Sequence, residues 1–163
     1  MKKTALLFMA IVFAGLAKAE DGHQLWLRLS PVGKATVRGP ECIAAQELRT
    51  YSNRDVELKL DDSMEQDAFR ISGGVITAKN ETGLLYGAYA FLRDQTTPAP
   101  TCSEGEIQKP YYKLRILNHW DNLDGSVERG YAGLSIFWSL EDGQPKPINR
   151  ELIKEYARAN ASI

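Results

Sequence analysis

The stretch from Asp94 to Pro110, DQTTPAPTCSEGEIQKP, sets the first limit on what this chain can fold into. Three prolines and a glycine sit there among mostly polar residues. Proline has no amide hydrogen to give a helix or an inner strand, and the residue before it avoids helical geometry. No single regular element runs through such a stretch, so it divides the chain. Residues 96–110 read as a linker between domains. A compact unit over 20–95 precedes it, and a second unit runs from 111 to 163.

The first unit carries clear periodicities. Gln24 to Arg28 is rich in large apolar groups and reads as a strand. Glu41 to Tyr51 reads as a helix, with Ala44, Leu48 and Tyr51 at i, i+4 and i+7. Val56 to Leu60 alternates strictly and reads as a half-buried strand. Two short strands, Ala68 to Ser72 and Val75 to Ala78, flank Gly73-Gly74, a pair that accepts the positive φ angles of a tight hairpin. Glu81 to Arg93 is the clearest helix, with Leu84, Leu85, Ala88, Phe91 and Leu92 on one stripe. Asn80 or Thr82 is placed to cap its start. These strands and two helices make a small α/β domain.

Ahead of that unit, Lys2 and Lys3 precede an apolar run from Ala5 to Leu16 and the small-residue site Ala17-Lys18-Ala19. Residues 1–19 read as a cleaved secretory signal peptide. The alternative is a membrane anchor, but a core of about a dozen residues falls short of the ~20 needed to span a bilayer. The expected location is therefore periplasmic or extracellular. Lys+Arg number 20 against 21 Asp+Glu, and the leader takes three of the lysines with it. Nothing in that balance seeks nucleic acid, or a membrane once the leader is cleaved. Cys42 and Cys102 leave both a disulfide and two free thiols open. His23 and His119 are too few and too far apart for a metal motif, and no cofactor is expected.

In the second unit, Tyr111 to Leu117 reads as a strand with Tyr112, Leu114 and Ile116 facing one way and Lys113 and Arg115 the other. Ser135 to Trp138 is a short apolar piece, and Gly143 to Pro147 reads as a turn-rich connector. Asn149 then caps a helix from Arg150 to Ala161, with Ile148 and Ile153 as a hydrophobic staple and Leu152, Tyr156 and Ala159 as its buried face. One strand, one loop and one helix do not enclose a core, so the expectation is an incomplete second domain. The alternative is that this tail packs back onto residues 20–93.

Between that strand and that helix lies the chemically dense segment. Asn118-His119-Trp120-Asp121-Asn122 gathers an indole, an imidazole, two amides and a carboxylate, and Asp124, Glu128 and Arg129 follow. An indole face stacks on the C–H face of a sugar, and Asp and Asn hydrogen-bond to hydroxyls, so the group suits a polar, ring-shaped ligand. Arg129 is able to pair a carboxylate through two parallel hydrogen bonds. The bland alternative is a loop network in which the carboxylates hold backbone amides or Arg129 and Trp120 fills core.

The sixteen residues Asn118 to Gly133, NHWDNLDGSVERGYAG, closely resemble the signature of the α-glucuronidases of glycoside hydrolase family 67. Gly22 to Arg28 is similar to that family's opening strand. Gly83 to Arg93 resembles its small-domain helix, a form shared loosely with hexosaminidases. Tyr156-Ala157-Arg158 with Ala161-Ser162-Ile163 resembles the end of the first barrel helix. The resemblance implies an α/β fold, a hexosaminidase-like small N-terminal α/β domain over 20–95. From 111 to 163 it implies the first strand, loop and helix of an incomplete (β/α)8 barrel. It implies the N-terminal portion of a bacterial enzyme.

The activity implied is hydrolysis of the α-1,2 bond between glucuronic acid, or its 4-O-methyl ether, and xylose in xylo-oligosaccharides, with inversion. Inversion needs a carboxylic acid and a carboxylate base about 6.5–9.5 Å apart. In the family these lie on later barrel strands, so the resemblance places the catalytic pair downstream of Ile163 and assigns no catalysis to Asp121, Asp124 or Glu128. The chain alone is then expected to be inactive. It favours Trp120 as a wall of the substrate pocket, with Asp121 and Asn122 beside it, at the strand end where such barrels build their sites. It implies glucuronoxylan-derived oligosaccharides as ligands, and a homodimer for the full-length enzyme. Two alternatives stand beside it: a stand-alone carbohydrate-binding module using Trp26, Trp120 and Trp138 as sugar platforms, and a hexosaminidase relative.

Overall fold

The computed structural model describes residues 29–96, 102–118, 135 and 137–162. In chain order the elements are β1 (Val37–Arg38), α1 (Ile43–Tyr51), β2 (Val56–Leu60), β3 (Phe69–Ser72), β4 (Val75–Ala78) and α2 (Glu81–Thr96). They continue with β5 (Ile107–Gln108), β6 (Trp138–Glu141), β7 (Gln144–Pro147) and α3 (Arg150–Ala161). The first five strands form one mixed sheet in the order β1-β2-β4-β3-β5. Strand β2 runs parallel to both β1 and β4, with Val37 opposite Val56 and Leu58 opposite Ile76. Strands β3 and β4 pair antiparallel, with Ile71 opposite Ile76.

The sheet is covered on one side. Helices α1 and α2 lie against each other and against the strands. Leu48 from α1, Leu58 and Ile76 from the sheet, and Leu84 and Leu92 from α2 are completely buried. Each such side chain contributes about 1.5–3 kcal/mol of transfer free energy. On the opposite face β2 presents Glu57 and Lys59, which pair at 3.3 Å in solvent. The strict alternation in Val56 to Leu60 is the signature of a sheet with one wet face.

Local chemistry sets the joints. Gly73 and Gly74 take φ of +57° and +79°, as the two-residue turn between β3 and β4 requires. Asn80 caps α2, its Oδ1 accepting from the Gly83 amide at 2.9 Å, while its Nδ2 donates to Asp67 at 2.9 Å. Helix α2 then presses close to the sheet at Gly87, where a Cβ atom would stand 2.5 Å from Ile76 Cγ2. Helix α1 starts two residues later than the pattern suggested. Glu41 stays outside it and reaches back to Arg49 through two hydrogen bonds of 2.9 and 2.7 Å.

The second half departs more from expectation. The stretch 96–110 does not run wholly between domains, because Ile107–Gln108 joins the sheet as its edge strand beside β3. Two ladder positions and the Gly105 amide donating to the Ile71 carbonyl at 2.7 Å hold it there. Tyr111 to Leu117 forms no strand. Tyr111, Leu114 and Ile116 are 90%, 75% and 77% exposed. Alternation states that one face would be apolar, but a strand exists only where a neighbour completes its hydrogen bonds. Among the described residues the sheet's edges are β1 and β5.

The piece read as a connector is instead the second arm of a hairpin. Strands β6 and β7 pair antiparallel, with Trp138 opposite Pro147 and Leu140 opposite Pro145. Asp142 and Gly143 turn between them at φ of +53° and +73°. Prolines are tolerated there because a two-stranded ribbon is all edge. Helix α3 follows with the predicted cap: Asn149 Oδ1 accepts from the Glu151 and Leu152 amides, each at 3.1 Å. Its buried face is narrower than expected, since of Leu152, Tyr156 and Ala159 only Ala159 is buried. Tyr156 still packs on Phe137, ring centroids 5.0 Å apart.

Candidate functional site

Trp120, Asp121 and Asn122, the residues favoured for substrate binding, lie outside the described residues, as do Trp26, Asp124, Glu128 and Arg129. The chain is described up to Asn118, which is exposed. What leads into the segment is therefore visible. A cleft of about 600 Å³ runs beside residues 113–117 and is bounded by Asp67, Tyr86, Arg115 and Asn160. Arg115 lines it, donating to the Tyr86 hydroxyl at 2.7 Å with its guanidinium 4.8 Å from that ring's centre. A neighbouring cleft of about 420 Å³ lies between Glu65 and Lys113, where Lys109 donates to Glu65 at 2.7 Å.

Two carboxyl groups away from these clefts are held below their ordinary range. Hydrogen bonding to the Arg49 guanidinium lowers Glu41, and the Ser63 hydroxyl lowers Asp61. Among the described residues no group of three or more His, Cys, Asp or Glu is arranged to hold a metal ion. Cys42 and Cys102 are free thiols.

The strongest electrostatic feature went unread in the sequence. Glu47 is a buried residue on α1, and Arg158 of α3 grips both its oxygens, Nε to Oε2 at 2.8 Å and Nη2 to Oε1 at 3.0 Å. The Tyr89 hydroxyl donates to the same carboxylate at 3.3 Å. This hydrogen-bonded partner raises the Arg158 pKa, and burial, with the Glu47 charge second, raises that of Tyr89. A signal was present: Glu47 sits on the Ala44–Leu48–Tyr51 stripe, where an unpaired charge would be costly. Its partner, 111 residues away, was not legible.

Comparison with known proteins adds what the clefts alone do not supply. A family model described as the glycosyl hydrolase family 67 middle domain matches residues 96–163. The whole chain aligns with a probable alpha-glucuronidase A of Aspergillus clavatus at 32% identity, over 25% of that protein's length. A probable alpha-glucuronidase A of Aspergillus oryzae is 41% identical over 158 residues, covering 87% of this chain and 16% of that protein. One of Aspergillus niger is 38% identical over 61% of the chain and 11% of its own length.

By these resemblances the chain falls in the glycoside hydrolase class. Within that class, the chain resembles a fragment of a family 67 alpha-glucuronidase, its residues 96–163 matching that family's middle domain. It spans a quarter or less of the length of these curated relatives. The relatives are fungal, which gives the expected bacterial origin no support. A stand-alone carbohydrate-binding module is not favoured by these matches.

Proposed function

We propose that this chain is part of an exported α-glucuronidase that removes glucuronic acid, or its 4-O-methyl ether, from xylose in xylan-derived oligosaccharides with inversion. The observation that carries the reading is the alignment of 87% of the chain at 41% identity with a protein named a probable alpha-glucuronidase A. In this reading residues 1–19 direct export. Residues 20–95 form the small N-terminal domain, and residues from 111 open a (β/α)8 barrel whose later strands bring the acid and base.

Trp120 then lines the pocket, with Asp121 and Asn122 hydrogen-bonding to sugar hydroxyls. An aromatic wall suits the apolar face of a pyranose, and neighbouring carboxylate and amide groups fix its orientation. Asp121, Asp124 and Glu128 take no chemical step, so the 163 residues by themselves are expected not to cleave. A homodimer of the full-length enzyme belongs to the same reading.

The test is an assay of the native protein that carries this N-terminus, purified from its source. Aldouronic acids of two and three xylose units are the substrates. Release of the uronic acid is expected, with the β-anomer formed first in proton NMR. Trp120→Ala is expected to raise KM by about 10- to 100-fold, the factor for losing roughly 1.5–3 kcal/mol of buried aromatic contact. No release of uronic acid would refute the reading.

A further inference from the structure

We infer that helix α2 carries a clasp ridge that holds the chain at Arg115 and again at helix α3, on either side of residues 118–133, against the small α/β unit. Tyr86, Tyr89 and Arg93 recur at i, i+3 and i+7, one face of a helix. Each meets the later chain at a different point. Tyr86 takes Arg115 just before the stretch. Tyr89, through the Glu47 carboxylate it shares, takes Arg158 in α3, 25 residues beyond Gly133. Arg93 donates to the Ser162 carbonyl at 2.6 Å beyond that.

The central contact is built to be specific. Both Glu47 oxygens and two Arg158 nitrogens pair in a planar fork, and Tyr51 places its ring 5.5 Å from the same guanidinium. The Glu47 and Arg158 side chains are only 11% and 27% exposed. A buried carboxylate that loses such a partner keeps its desolvation cost, so the two helices hold together or separate as a unit. The clasp fixes where Arg115 and Arg158 stand against helices α1 and α2. It concerns the chain's own architecture and does not depend on the activity proposed above.

Amide hydrogen exchange on the full 163-residue chain, read by mass spectrometry without ligand, tests this. Glu47→Gln keeps the shape and removes the charge. Exchange in α3 is expected to quicken by about 10- to 100-fold, the factor one charge-assisted hydrogen bond is worth, while β2 and β4 keep their protection. Arg158→Lys, an outer-helix change that keeps the charge but loses the fork, is expected to quicken α3 by a smaller factor. Tyr86→Phe is expected to speed tryptic cleavage after Arg115 and leave α3 unchanged. Unchanged exchange in α3 in both the Glu47→Gln and the Arg158→Lys variant would overturn the clasp. So would loss of protection in β2 and β4 by the same factor as in α3, or an α3 already unprotected in the parent chain.

Discussion

Adding one methyl group at Gly87 reverses the usual sign of a helix substitution. Glycine to alanine inside a helix ordinarily gains about 1 kcal/mol, because alanine has less backbone freedom to lose. At Gly87 the new Cβ would stand 2.5 Å from Ile76 Cγ2 and 3.3 Å from Phe69 Cβ. Ile76 is fully buried on the inner strand β4 and has no room to retreat. Overpacking of this kind costs about 1–3 kcal/mol, and the close distance puts it toward the upper end. Gly87→Ala is therefore expected to destabilise the chain by about 1–2 kcal/mol net. Urea unfolding followed by tryptophan fluorescence and far-UV circular dichroism reads this as a lower midpoint at unchanged slope. Ile76→Ala alone costs about 2–5 kcal/mol by opening a cavity. In the double variant the alanine methyl at 87 occupies part of that space. The combined loss is then smaller than the sum by about 0.5–3 kcal/mol. A higher midpoint for Gly87→Ala, or strict additivity in the double variant, would refute the close approach of helix and sheet.

Three further outcomes follow from named contacts. Asn149→Ala leaves two α3 amides without their acceptor and is expected to cost that helix about 1 kcal/mol, read as faster exchange confined to residues 150–161. Burial, with the Glu47 charge second, holds the Tyr89 hydroxyl above its ordinary pKa near 10.0. The unfolded chain ionises first, so this contribution is whole below pH 10 and is lost as pH rises beyond it, by about 1.4 kcal/mol per pH unit. Tyr89→Phe is expected to flatten that alkaline limb, and equal slopes in parent and variant would contradict the assignment. Cys102 is partly exposed and Cys42 buried, so a thiol reagent is expected to label Cys102 first in the folded chain. Simultaneous labelling would show the two to be equally accessible.

The difference between what the residues announced and what they concealed is physical. Val56 to Leu60, the Gly73-Gly74 turn and the Asn149 cap were legible because each is decided within a few residues. The edge strands β1 and β5 were not, since two residues carry no periodicity and only a neighbour makes them strands. The hairpin β6–β7 carries a local signal in Asp142-Gly143, the dipeptide its turn prefers, masked by the prolines of its second arm at 145 and 147. Tyr111 to Leu117 shows the converse error, a correct alternation with no pairing strand among the described residues. For the candidate site, residue types pointed to a sugar-like ligand at Trp120 to Asn122. The Glu47–Arg158 contact joins residues 111 positions apart, and no local pattern encodes a partner so distant.

The β3–β4–α2 run from Phe69 to Thr96 has a kinetic consequence. Its hairpin and helix are consecutive in the chain, and they supply Ile76, Ala78, Leu84, Ala88, Ala90 and Leu92 to the core. Short loops close at little entropic cost, so contacts within this run form before those that must bring β1 or β5 to the sheet. The run is therefore expected to act as the folding nucleus. Truncations within it, such as Leu84→Ala, are expected to slow refolding. Changes at the margin, such as Val37→Ala in β1 or Ile107→Ala in β5, are expected mainly to hasten unfolding. A chain emerging from the ribosome would on this account hold a native-like seed as soon as Thr96 is clear of the exit tunnel, before the signature-bearing stretch has been synthesised.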